Sequence, residues 1–425
     1  MWNMPGGSSR KQRSTKSNST PHEIHLSEFA QRRAQMRRAM KHAAGLVFAG
    51  EYDTHSDSPY RPHRHFEYLA GIVDEPGAVL MLDPENPVEA RRDMLFLRPL
   101  NPELEKWDGY RLEVSSALRE KTGVKSIFRL DKLPMFLNDA ARRNKSVACL
   151  HPLAQYTQPV SPDLEVFQKL AARIPGLTII DHSDLIPSLR SVKSAGEIAM
   201  IQRAIEITAA GFDAMMRGVK PGMNEFDVQE IIEHEYRTRG ARRLSFNTIA
   251  GGGVNSTVLH YRANDQPIAD GDLMCVDSGC KWAGYSADIT RTVPVNGRFT
   301  KRQREVYDVV LAAQLAAIKA VKPGARISQI DSAARSVITK AGFGDYFIHG
   351  IGHHLGLDTH DSAPAGDQPL KAGAVVTIEP GVYIPSEKIG IRIEDDVLVT
   401  ASGLKVLSEQ IPKSAEQIEK IMRPK

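Results

Sequence analysis

A chain of 425 residues is longer than one hydrophobic core ordinarily organises, so two or three domains are expected. Its 41% hydrophobic and 25% charged residues are the composition of a folded globular protein, and no apolar run approaches the roughly 18 residues of a membrane helix. The formal charge of +4 is carried by Arg10, Lys11, Arg13 and Lys16; the rest of the chain balances 51 bases against 51 acids, which removes the electrostatic case for nucleic-acid binding.

Residues 1–22 are basic, Ser-rich and acid-free up to His22, without the apolar core of a secretory signal. They read as a disordered tail, with mitochondrial import as the lesser alternative. Cys149, Cys275 and Cys280 form no CxxC pair, so a disulfide framework is excluded and a reducing compartment, the cytoplasm, is expected. From Ser27, "SEFAQRRAQMRRAM" reads as a capping residue followed by helix formers. The short apolar runs "GLVFAG", "AVLML", "MLFLRP", "SVACL" and "LTIID" then alternate with helical stretches such as "PDLEVFQKLAARI". Strand–helix alternation to about Pro187 predicts an α/β domain.

Beyond Pro187 the pattern changes. "SAGEIAMIQRAIEITAAGFDAMMRGV" is a long amphipathic helix, "KPG" stops it, and a second helix runs from Asn224 to Gly240. "TKRQREVYDVVLAAQLAAIKAV" and "RISQIDSAARSVITKAG" repeat the arrangement around a second "KPG", Lys322 to Gly324. Two helix–KPG–helix units, each followed by strands, suggest an internal duplication.

Four apolar segments then carry acids where a buried strand would take Val. "DLMCVDSGC" holds Asp277, "GYSADITRTVPV" holds Asp288, "AVVTIEPGVYI" holds Glu379 and "IGIRIEDDVLVT" holds Glu394. An unpaired carboxylate in apolar surroundings costs several kcal/mol, so it is paired or it binds metal. Arg291 and Arg392 are available for two of the four, not for all. Four carboxylates and a histidine make an oxygen-rich site for two divalent cations, with Mn²⁺ first and Co²⁺, Fe²⁺ or Zn²⁺ as alternatives.

The histidine-rich stretch "HGIGHHLGLDTHD", His349 to Asp361, offers the remaining ligand. Its i, i+4 pair imitates a helical zinc motif, but Gly350, Gly352 and Gly356 make a helix costly there. In an extended segment His349 and His353 share one face and His354 takes the other. His353 is then the better ligand, His349 lines the same pocket, His354 is a packing or surface residue, and His360 is placed to return from a loop. His260, after the flexible "AGGGVNS", is a fifth candidate.

In that order and those local contexts, Asp277, Asp288, His353, Glu379 and Glu394 resemble the metal-dependent aminopeptidase P and prolidase family from about residue 190 to 410. "YRPHRHFEYLAGI", Tyr60 to Ile72, is similar to a segment of that family's N-terminal domain, with His65 where an Asp is usual. The resemblance implies an α/β (α+β) protein: a smaller α/β N-terminal domain, 23–187, followed by a pita-bread catalytic domain, 188–425. It implies two metals, with Asp277 bidentate on one, Asp288 and Glu394 bridging, and His353 and Glu379 completing the shells. It places His260, His349 and His360 around the substrate, with Arg392 and Tyr383 supporting that face of the site. Trp107, in "WDGYR", is similar to a segment that brings a Trp to a neighbour's active site in aminopeptidase P tetramers; core packing is the alternative.

The implied activity is release of the first residue from peptides with proline in second position, by attack of a metal-bridging hydroxide on the scissile carbonyl. Glu379 would carry the proton, His360 would stabilise the oxyanion, and His260 would act beside them. A homodimer or homotetramer and no membrane partner are implied. A prolidase restricted to Xaa-Pro dipeptides shares every ligand and is the alternative enzyme. A pita-bread binding module without catalysis is the alternative of a different class.

Overall fold

Five apolar runs of the first half, together with Ser126–Arg129, assemble into one six-stranded mixed sheet. In this computed structural model, which describes residues 23–52 and 59–423, the strand order is Ser126–Arg129, Asp93–Leu97, Val79–Leu82, Ala44–Phe48, Ser146–Cys149, Thr178–Asp181. The central strands Ala44–Phe48, Val79–Leu82 and Asp93–Leu97 pair antiparallel, and the outer ones are added parallel. The tail expected at 1–22 lies outside the described residues. The runs read as continuously apolar because both faces are covered. Leu46, Val79, Met81, Met94 and Phe96 pack under Phe136, Leu137 and Phe167 of the helices Leu133–Asn144 and Pro162–Ala171. Val47, Leu80, Leu82, Leu95 and Leu97 point the other way, into a core continuous with Met200, Ile201 and the second half of the chain. The N-terminal sheet is thus docked on the rest through a shared apolar core.

One local expectation is corrected, and one strand was not anticipated. The first helix spans Leu26–Met40 and is capped by His25, whose Nδ1 accepts from the Ser27 amide, so Ser27 lies inside it. Ser126–Arg129 and the helix after it had no clear signal, because "SIFR" offers only two apolar residues.

In the second half the helices Ala195–Gly218 and Glu225–Thr238 pack together, as do Lys301–Ala320 and Ile327–Lys340. Capping boxes on Ser194, Asn224 and Thr300 satisfy amides at three of their starts. The two KPG turns are used identically. The Gly222 amide donates to Ile268 O (2.9 Å) and Ile268 N returns a bond to Met223 O (2.8 Å); Gly324 donates to Leu370 O (2.8 Å) and Leu370 N to Ala325 O (2.8 Å). Both glycines have φ near +85°, which L side chains avoid. Gly222 and Gly324, Ile268 and Leu370, and Asp277 and Glu379 all stand at one constant offset. Each unit continues into an antiparallel pair, Leu273–Ser278 with Ile289–Pro294, and Val375–Ile378 with Asp395–Thr400. Asp288 and Glu394 immediately precede the two return strands. Duplication therefore supplies four carboxylates as two equivalent pairs.

Candidate metal centre

Asp277 lies within the strand Leu273–Ser278, between Ile249 and Thr290 on its neighbours. The other three carboxylates depart from the expectation of continuous strands. Asp288 falls in the gap between Tyr285–Ser286 and Ile289–Pro294, Glu379 between Val375–Ile378 and Gly381–Ile384, and Glu394 between Ile389–Arg392 and Asp395–Thr400. Ile378 pairs with Asp395 in one sheet and Gly381 with Arg392 in another, so the breaks holding Glu379 and Glu394 face each other. A gap releases a residue from the alternation of a ladder, and its amide finds another acceptor. The Glu379 amide donates to Ile351 O, Glu394 to Thr290 O, and Asp288 to Asp396 Oδ2. All three side chains are thereby free to turn into one space.

That space is a cavity of about 710 Å³ whose lining includes Asp277, Asp288, His353, Glu379 and Glu394. Single ligand atoms of Asp288, His353 and Glu394 all lie within 4.8 Å of one another. His353 Nε2 is 3.5 Å from both Asp288 Oδ2 and Glu379 Oε1. This is longer than a good N–H···O bond of about 2.9 Å. It is close to the roughly 3.0–3.4 Å that separates donors sharing a cation at bond lengths near 2.1 Å. His353 Nδ1 donates to His354 O (3.0 Å), which leaves the Nε2 lone pair turned toward the carboxylates. Burial and then His360 lower this ring to about 4, so it is neutral at pH 7. Asp277 Oδ1 is buried without a hydrogen-bond partner. A neutral nitrogen lone pair, an orphaned carboxylate oxygen and three further carboxyl groups face one another, and this donor set fits divalent cations.

One guanidinium touches these carboxylates among the described residues. Arg392, 3% exposed, donates to Asp277 Oδ2 (2.7 Å), to the Tyr383 hydroxyl (3.1 Å) and to Thr290 Oγ1 (3.1 Å). Thr290 Oγ1 donates in turn to Glu394 Oε2 (2.7 Å). The Tyr383 hydroxyl donates to His349 Nε2 (2.8 Å), and His349 Nδ1–H donates to Gly350 O (2.8 Å). Tyr383 therefore stands behind His349 and not on the cavity wall. Arg291 does not pair with any of the four; it is buried against Asp395 (2.8 Å) and holds the Glu394 backbone carbonyl (2.5 Å). Thr290, Asp396 and the Arg291–Asp395 pair were not singled out in the sequence. The available signal was spacing: Thr290 follows Asp288 by two residues in the amino-acid sequence, and Asp396 follows Glu394 by two.

The histidines separate as the spacing predicts. His260, His349, His353 and His360 line the carboxylate cavity, while His354 lines a different one of about 420 Å³ with Ser191 and Asp367. Their backbone is mostly irregular, with a single bridge from His354 to Val376. Gly352 lets it lie that close. A Cβ there would sit 2.1 Å from the Thr377 carbonyl oxygen, at a φ of +151°. Gly352→Ala is expected to lower stability by about 3 kcal/mol, as overpacking against backbone does, and to cut turnover by displacing His353. Urea denaturation and metal content of the variant check this. Trp107 lies outside the cavity and is 85% exposed on the short helix Pro102–Asp108, so core packing is overturned.

Burial is the largest cause of three raised carboxyl pKa values. Glu379 is lifted to about 7, helped by Asp277 and opposed by Arg392. Asp288 and Glu394 are pushed well above the carboxylate range by burial and then by neighbouring carboxylates. The folded, metal-free chain thus holds protons that the unfolded chain releases near pH 4.5, and it loses stability as pH rises from there through about 7. Cations reverse this by favouring the ionised forms. Chelation is expected to lower Tm more at pH 8 than at pH 5.5; equal falls in calorimetry would contradict the assignment.

The chain is similar to known proteins along most of its length. The model of metallopeptidase family M24 matches residues 199–401, and that of the aminopeptidase P N-terminal domain matches 29–148. The chain is 33% identical to the Xaa-Pro aminopeptidase of Haemophilus influenzae, over 93% of this chain and 97% of that protein. It is similar to the structure of Escherichia coli aminopeptidase P with the inhibitor Pro-Leu, with a TM-score of 0.84 and 34% identity over 94% of this chain and 98% of that one. The Xaa-Pro dipeptidase of Pyrococcus furiosus is 41% identical, over only 53% of this chain and 65% of its own length.

Proposed function

Because the chain belongs to metallopeptidase family M24 and carries the N-terminal domain of aminopeptidase P, we propose that it is a metal-dependent aminopeptidase that releases the first residue from peptides beginning Xaa-Pro. The observation that carries this reading is the convergence of Asp277, Asp288, His353, Glu379 and Glu394 on one cavity, in a chain similar to Xaa-Pro aminopeptidases over nearly its full length.

These five residues would hold two divalent ions, with Mn²⁺ favoured by a donor set of four carboxylates and one imidazole. When bound, such ions supply Lewis acidity that generates a nucleophile from water near neutral pH and polarises the scissile carbonyl. The remaining chemistry belongs to the chain. Glu379, on the cavity wall, accepts the proton of the attacking water and passes one to the departing proline nitrogen. His360, at the cavity wall beside His353, donates to the oxyanion, and His260 and His349 shape the wall around the proline. Tyr383 and Arg392 keep His349 and Asp277 in place. Proline's tertiary amide and fixed φ defeat ordinary peptidase sites, which is the reason for a dedicated pocket.

A homo-oligomer is supported by exposed aromatic side chains at Trp107 and Tyr110 on the N-terminal domain, and a cytoplasmic location by three buried free cysteines. No helix of the described residues is long and apolar enough to cross a membrane. The deciding assay compares Gly-Pro with Gly-Pro-Xaa peptides on Mn²⁺-loaded protein. Release of glycine from the longer peptides is the expected result. Cleavage of the dipeptide alone would make the chain a prolidase. No cleavage, with less than one divalent ion per chain, would make it a binding module.

A further inference from the structure

We infer that Arg64, Arg190 and Lys193 are positioning residues that set the catalytic placement of His360 by gripping the two aspartates on either side of it. This rests on the reading of His360 as a group that faces the substrate. His360 itself is poorly held. Its side chain is exposed at the cavity, its ring makes no hydrogen bond among the described residues, and its ring contact is with His353 at a centroid distance of 4.0 Å. The residues around it, Leu357 to Asp361, form neither helix nor strand. A loop of that kind does not by itself keep a catalytic group within the half-ångström that catalysis demands.

The grip comes from elsewhere in the chain. Arg190 ends the helix Leu185–Arg190 and is 2% exposed. Its NH2 group donates to Asp358 Oδ2 (2.8 Å) and also to Asp361 Oδ1. Lys193 Nζ donates to the other oxygen of Asp361 (2.9 Å), and both side chains are buried. Arg64, the first residue of a helix in the N-terminal domain, donates from Nε to Asp358 Oδ1 (3.0 Å). Asp361 Oδ1 also accepts the Asp358 amide (3.3 Å), which ties the two aspartates together across Thr359 and His360. The Asp361 amide donates to His354 O (2.8 Å), and Thr359 Oγ1 donates to Ser245 O (3.0 Å). Three cations thus hold four carboxylate oxygens, those of Asp361 in a water-excluded place where such bonds are strong and directional, and those of Asp358 at a more exposed end. From the held loop Thr359 and His360 line the cavity; Thr359 is tied to Ser245, and of the two it is His360 whose ring makes no hydrogen bond among the described residues. Through Arg64 its placement also depends on the docking of the N-terminal domain.

The test is a double-mutant cycle on the full-length, Mn²⁺-loaded protein with a Gly-Pro-Xaa tripeptide. Arg64→Gln is expected to lower kcat about 10-fold and Arg190→Lys more, since the shorter lysine does not carry its ammonium to the place where the arginine's NH2 group meets both carboxylates, with KM changed less than about 2-fold and bound metal unchanged. In a His360→Ala background each change is expected to cost less than about 2-fold, because the group being positioned is gone. Equal losses in both backgrounds would overturn the inference, as would an unchanged kcat in a variant with lowered Tm. Should Arg190→Lys fail to fold, Arg64→Gln and Asp358→Asn, at the more exposed end of the grip, carry the same comparison. An unsubstituted chain without Xaa-Pro activity would instead sink the functional reading. An active chain indifferent to both arginines sinks only this one.

Discussion

Asp288→Asn is expected to abolish turnover and metal binding together while making the metal-free protein more stable at pH 8. The amide keeps the shape of the side chain but removes one of four charges that face one another around His353. Without that charge the site loses a donor to cations, and kcat should fall at least ~10³-fold, on the order of 4 kcal/mol of barrier. The stability effect has the opposite sign. Burial and then Asp277, Asp396 and Glu379 push the Asp288 carboxyl well above its usual range, so its ionised form opposes folding when no cation is bound. Asparagine removes that penalty. The gain is fully present well above neutral pH and shrinks as pH falls and the parent carboxyl takes up its proton. Urea denaturation of both proteins in chelator at pH 8 and pH 5.5, with metal analysis, reads out each part. A variant that retained full activity after chelation would refute the metal site itself.

Arg392→Met is expected to make folding depend on metal. Arg392 is buried with Asp277, Thr290 and Tyr383 on its nitrogens, and it is the guanidinium among the described residues that faces the carboxylate group. Removing one partner of a buried pair ordinarily costs about 3–5 kcal/mol, because the other charge is left uncompensated. In the metal-free protein that cost applies in full. With two divalent ions bound, the ions answer the charge of Asp277 and the cost should be much smaller. The variant's Tm should therefore drop steeply in chelator and recover most of the difference in Mn²⁺. Turnover should remain about 10–100-fold low even in Mn²⁺, as is typical when a residue that orients metal ligands is lost. An equal loss of Tm with and without metal would mean that Arg392 packs the fold and does not compensate the site.

The order and local contexts of Asp277, Asp288, His353, Glu379 and Glu394 were legible in the amino-acid sequence because acids in apolar β-runs break a strong rule, and rule-breaking residues carry function. The separation of His353 from His354 agrees with the parity of an extended chain, although their backbone is mostly irregular with a single bridge at His354. The two KPG turns mark a duplication in the amino-acid sequence itself, because a turn at positive φ selects glycine and so repeats as a visible motif. All of these depend on local stereochemistry or on the cost of burying charge, and both are properties of a few consecutive residues.

What only the tertiary structure decided is how those residues meet. Three of the carboxylates sit in gaps between strands, where the chain passes from one sheet to the next, and a gap forms only when distant strands compete for the same backbone groups. Trp107 lies on the surface although its sequence fits a core position equally well. Thr290 acquires its role because Arg392 and Glu394 arrive beside it from about a hundred residues away. Arg64 and Arg190 reach Asp358 and Asp361 across still longer separations. Ion pairs of this kind leave no periodicity in the chain: a guanidinium pairs with whichever carboxylate the packing of the core brings within 3 Å, and that packing is a property of the whole fold.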